Sequence, residues 1–158
     1  MHLRVRFGLL LVLLSLVLAG SNKPRLNAEQ ILDLVNQDRA SHGLAQLNLS
    51  PKLSLAAQAK AYDMINKDYF AHQSPDGIAP WHWFKSLGYN YSYAGENLAE
   101  GFDTATELEN SWMASPTHRA NILSPFYSDL GLAVINQDNV NLVVQFFGSE
   151  ESRISLGE

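Results

Sequence analysis

The hydrophobic period of this chain changes for good near its end, and that change limits the folds open to it. As far as Leu123 the apolar residues recur mostly at helical spacing; from Leu130 they alternate. Asn27 reads as a helix cap, with Gln30 completing a capping box before Ile31, Leu34 and Val35, and Gly43 can end that helix. Ser50-Pro51 starts a second helix with Leu53, Ala56, Ala57, Ala61 and Met64 on one face. Pro80 to Leu87 reads as a short third helix stopped by Gly88. Thr104 caps a fourth, with Glu107 in the capping-box position, and Ser115-Pro116 restarts a short helix through Leu123. Tyr89, Tyr91 and Tyr93 alternate as a short strand. Leu130, Leu132 and Val134, then Val140, Leu142, Val144 and Phe146, alternate on either side of a turn at Asn136 to Asn139. Helices first and hairpin last make the class α+β.

The first residues follow another pattern. His2, Arg4 and Arg6 precede an apolar run from Phe7 to Leu18, broken only by Gly8 and Ser15. The run is shorter than the roughly 20 residues of a membrane span. It has the length of a signal-peptide core, and Val17-Leu18-Ala19 offers a small-residue cleavage site. An uncleaved N-terminal anchor is the other reading. The expected organisation is a signal peptide over 1–20, a linker over 21–26, one domain over 27–148 and a polar tail over 149–158. Leu18-Ala19-Gly20-Ser21 resembles a lipoprotein box, but Ser21 stands where the lipid-bearing Cys belongs. The expected location is secreted, periplasmic or in the cell envelope, with no transmembrane span in the mature chain.

The 158 residues contain no cysteine, which removes disulfides, thiolate ligands and Cys-based catalysis. Without residues 1–20 the chain carries nine basic and sixteen acidic residues. That balance argues against nucleic acid and against anionic lipid head groups.

Two histidines have plain readings. His42 precedes a helix-ending Gly, and His82 lies between Trp81 and Trp83 as a packing residue. His72, after Tyr69-Phe70-Ala71, reads as a helix C-cap or as a site residue. His118 lies near a helix start, where a proton is disfavoured and a neutral imidazole results. Between them, Glu96 is a lone acid among small and apolar residues. A buried acid needs a partner, and histidine is a natural one, so Glu96 reads as structural first.

Four blocks, in order, resemble the CAP superfamily (cysteine-rich secretory proteins, antigen 5, pathogenesis-related 1), in its cysteine-free bacterial form. They are Tyr69-Phe70-Ala71-His72 with Ser74-Pro75-Asp76-Gly77; Gly95-Glu96-Asn97-Leu98-Ala99; Trp112 through Leu123; and Gly131-Leu132-Ala133-Val134 with Val143 through Gly148. The resemblance implies an α-β-α sandwich with a small antiparallel sheet flanked by helices, and a cleft holding two His and two acids. His72, Glu96 and His118 match three of these. The fourth place falls on Ser115, with Glu107 or Glu109 as substitutes only if the helix turns them inward. Zinc or another divalent cation is the cofactor that His72, Glu96 and His118 would hold.

For function, the resemblance implies a non-catalytic binding or structural module outside the cytoplasm. Its partner would be a lipid, a small apolar ligand, an envelope component or a protein. The alternative is a metal-dependent hydrolase. The chain has no His-Glu-x-x-His helix and no Gly-x-Ser-x-Gly elbow, and no residue is assigned a catalytic role.

Overall fold

Asn27 caps as its position predicts: its side chain accepts from the Gln30 amide, and α1 (Ala28–Ser41) follows. The computed structural model describes residues 26–151. The expected signal peptide, the Ser21 box and most of the tail lie outside them. After α1 come β1 (Asn48–Leu49), α2 (Pro51–Asn66), α3 (Trp81–Ser86), β2 (Tyr91–Glu100), α4 (Ala105–Ala114), α5 (Pro116–Ile122), β3 (Asp129–Gln137) and β4 (Val140–Glu150). Ser50 caps α2 through the Leu53 amide with Pro51 in its first turn, and Thr104 caps α4 through the Glu107 amide.

The sheet order is β1-β3-β4-β2. The hairpin forms as expected, turning at Asp138 and Asn139, both with positive φ. β4 also pairs antiparallel with β2. Three features depart from the sequence reading. β2 is ten residues long and runs through Gly95 to Glu100, because every residue from Tyr93 onward meets a partner on β4. The two-residue β1 pairs parallel with β3, so the sheet is mixed. β4 runs on to Glu150, which pairs opposite Tyr91.

Successive β4 side chains feed two cores, as a strand's pleat requires. Phe146 and Val144 join Leu53, Ala57, Met64 and Phe84 on the α2–α3 side. Phe147 and Val143 join Ile31, Val35, Leu108, Trp112 and Ile122 on the α1–α4–α5 side. This is the expected α-β-α sandwich. Gly131 lets α2 close onto the sheet: a Cβ there would lie 2.3 Å from the Leu53 carbonyl carbon. Buried Arg39 fastens α1 to the end of α5, donating to Ile122 O and Ser124 O at 2.8 Å and to Ala45 O. Of these, Ile122 O is a carbonyl that the short helix end leaves open.

Candidate functional site

Among the described residues β2 is the outermost strand, with β4 on one side and no strand on the other. Its free edge still has partners. Tyr127 Oη donates to Ala94 O (3.2 Å), Asn121 Nδ2 to Glu96 O (3.0 Å) and Trp112 Nε1 to Leu98 O (3.4 Å). Alternate carbonyls from Ala94 to Leu98 are thus met by a side chain from α4, α5 or the loop after α5. Gly95 permits this approach, since a Cβ there would meet Tyr127 Oη at 2.5 Å.

Glu96 belongs to this edge strand. Its side chain is only 2% exposed, and Oε1 lies 2.5 Å from His72 Nδ1. The histidine partner expected for this acid is therefore present, but it is unequal: the His72 side chain is 61% exposed. Oε2 of Glu96 is buried with no hydrogen-bond partner. Burial pushes the Glu96 carboxyl up to about 7, against the hydrogen bond from His72 and the charges of Lys60 and His72. The pair is thus no compensated buried ion pair. Glu96 is held at a net electrostatic cost.

His72 lies past the end of α2 in an irregular loop and caps no helix. What fixes that loop is Lys60, fully buried on α2. Its ammonium donates to Ala71 O and His72 O (both 2.9 Å) and to Tyr69 Oη (3.0 Å), and Tyr69 Oη donates in turn to Asp63. Sequence reasoning passed over Lys60, although a Lys midway between Ala56 and Met64 on an apolar stripe was a visible signal.

His118 is the third residue of α5. Its pKa is held below the usual value, first by burial and then by nearby His72. A low pKa was expected from the helix N-terminus; the causes found are desolvation and a second imidazole. Ser115 ends α4 and opens α5 without capping either through its side chain. Its Oγ is hydrogen-bonded to His118 Nδ1 at 2.9 Å. Neither substitute acid joins this group. Glu107 is exposed. Glu109 does turn inward, but toward α1: it is buried beside Asp38 of that helix. Burial pushes Glu109 up to about 8, helped by the Asp38 charge. His42 bonds Asp38 O at the end of α1, and His82 packs edge-on against Trp83, the structural roles expected of them.

A polar network behind Glu96 was also missed. Asn97 donates to Gln145 Oε1 (2.9 Å) and His118 O (3.3 Å), and its own Oδ1 accepts from Asn121 (2.9 Å). It links the backbone of α5 to β2 and so positions His118 relative to Glu96.

The profile of the cysteine-rich secretory protein family, CAP, matches residues 32–147, an interval holding the edge strand, both histidines and the closing hairpin. The chain belongs to the CAP family. Among curated relatives this CAP domain is 38% identical over 120 residues to YkwD of Bacillus subtilis (strain 168), covering 76% of this chain and 46% of YkwD. It is 31% identical over 106 residues to the membrane protein YlbC of the same organism, covering 67% of this chain and 31% of YlbC. The chain thus spans less than half the length of the curated relatives it matches. Among solved structures it resembles an outer surface protein of Borrelia burgdorferi, with TM-score 0.73 and 19% identity over 78% of this chain and 92% of that one. It also resembles an extracellular SCP-domain protein of Bacillus anthracis, with TM-score 0.70 and 28% identity over 77% of this chain and 40% of that one. Among the described residues no helix is long and apolar enough to cross a membrane.

Proposed function

We propose that this CAP domain is a non-catalytic binding module working outside the cytoplasm, with His72, Glu96 and His118 as the polar contacts of its cleft. One observation carries the reading: Glu96 is kept buried at a cost, with one oxygen unpartnered. Such an arrangement in a folded chain is typical of a site held ready for something that offers charge or a donor. Export rests on the basic start, the short apolar core and the Val17-Leu18-Ala19 site. N-terminal sequencing of the exported protein is expected to give a form beginning at or near Gly20; an intact Met1 on most molecules counts against it.

A divalent cation is one candidate occupant. Among the described residues no three His, Asp or Glu side chains stand close enough to hold a metal together. With the Ser115 hydroxyl taken up by His118 Nδ1, the donor set does not fit a closed four-ligand zinc site. For His72, Glu96 and His118 to share a cation the two imidazoles would have to draw together, so the cation binding we propose for them is modest and readily lost to chelators. Zinc titration calorimetry tests it. His72→Ala and His118→Ala should each abolish the specific signal, while His42→Ala and His82→Ala leave it intact. Binding should release protons and weaken as the imidazoles protonate at low pH. Undiminished binding by His118→Ala removes the assignment.

The second reading, a hydrolase, draws on Glu96 standing near 7 beside His72, a range suited to proton transfer. Ester or peptide turnover that disappears in Glu96→Gln would favour it over simple binding.

A further inference from the structure

A separate cavity lies between the end of α2 and the tip of the β3–β4 hairpin, with a volume of about 370 Å³. Its lining is apolar where Met64, Ile65 and Leu142 meet it, and Met64 and Leu142 belong to the core. Phe70 and Val140 flank it and are 44% and 47% exposed. Three carboxylates border it: Asp68, Glu100 and Asp138. Among the described residues none of the three makes an ion pair or a side-chain hydrogen bond. No Lys or Arg lines the cavity. The neighbouring cation, Lys67, is already committed to Asp63 (2.9 Å) and Asp76 (2.6 Å).

We propose that this groove docks a basic peptide segment of a partner protein, its lysine or arginine stem on Met64, Ile65 and Leu142 and its charged head among Asp68, Glu100 and Asp138. Charge complementarity selects the occupant. Three uncompensated carboxylates around one opening favour a cation and disfavour an anion. Long cationic side chains bury their methylenes on apolar surface while the head stays at a polar rim. The Phe70 ring adds a face for that cation. A polypeptide fits better than a free amine because Phe70 and Val140 give apolar flanks that residues beside the cation would cover. The docking surface is distinct from the His72 cleft and does not depend on what that cleft binds.

The test uses the whole chain and a defined probe, the acetylated and amidated hexapeptide Gly-Leu-Lys-Lys-Leu-Gly, followed by amide chemical shifts and calorimetry. Shifts should be confined to the amides around Asp68–Phe70, Glu100 and Asp138–Leu142, and binding should weaken with added salt. Asp68→Asn with Glu100→Gln and Asp138→Asn should weaken binding by about tenfold or more. Asp68 and Asp138 have φ of 51° and 50°, a left-handed backbone that Asn also tolerates, so these changes remove charge without straining the chain. Phe70→Ala should weaken binding independently, whereas His72→Ala should not. Butylamine binding as tightly as the peptide would overturn the peptide assignment. Undiminished binding by the triple variant, or shifts scattered over the acidic surface, would overturn the site.

Discussion

Glu96 and Glu109 are both buried acids in a chain with few of them, and both titrate far above an ordinary glutamate, at about 7 and about 8. A carboxyl whose folded pKa is raised favours the native state while protonated. That contribution is complete below the unfolded value of about 4.5 and is lost as pH rises through the folded value. Glu109→Leu is therefore expected to stabilise the protein, with a gain that grows between pH of about 5 and about 8 and reaches a few kcal/mol in order of magnitude. Urea unfolding at the two pH values measures it; a gain independent of pH would mean that Glu109 ionises freely. Glu96→Gln should act in the same sense over a narrower window, ending near 7. Its cost in function is then separable from its effect on stability. Lys60→Met should do the opposite, leaving the Ala71 and His72 carbonyls without a donor at a cost of about 2–3 kcal/mol. It should also raise the Glu96 titration further, visible by carboxyl carbon NMR, because the Lys60 charge now lowers it. At this scale the sequence showed the acid and both imidazoles, since Glu96 is the lone acid of its block and each histidine the lone imidazole of its own. It concealed which way Glu109 faces, because a helix of ten residues offers both its partner helix and the cleft.

Elements were legible where caps and period agreed. Asn27, Ser50 and Thr104 each marked a helix start that the structure keeps, and the final hairpin alternates cleanly. The stretch from Gly95 to Glu100 resisted reading because its strand character comes from β4 pairing on one side and side chains on the other. Glu96 and Asn97 face opposite layers there, so no apolar alternation announces the strand. β1 is too short to show any period. The edge itself yields a prediction. Asn121→Ala removes the donor to Glu96 O and the partner of Asn97 Oδ1, and should cost about 1–3 kcal/mol. Amide exchange along residues 94 to 98 should quicken more than in β3. Equal acceleration throughout the sheet would indicate global loosening instead.

For the molecule as a whole, the residue pattern alone gave an α+β order, and the two layers about the sheet were implied only by the family resemblance. Their division follows from β4, whose neighbours Phe146 and Phe147 enter opposite layers. One strand shared by both layers makes them a single cooperative unit. Phe146→Ala and Phe147→Ala are each expected to lower one common unfolding transition by about 3–5 kcal/mol, seen by calorimetry. Two separated transitions in either variant would show that the layers melt independently.

The position of β4 also has a consequence in time. Among the described residues it is the last strand in chain order, yet it lies between β3 and β2 in the sheet. A chain made from its N-terminus can form α1, α2 and the capped start of α4 early, since these depend on local contacts. Nothing can join β2 to the remaining strands until residues 140 to 150 have emerged. The commitment of the sheet to a closed shape therefore waits for that last segment and comes in one late step.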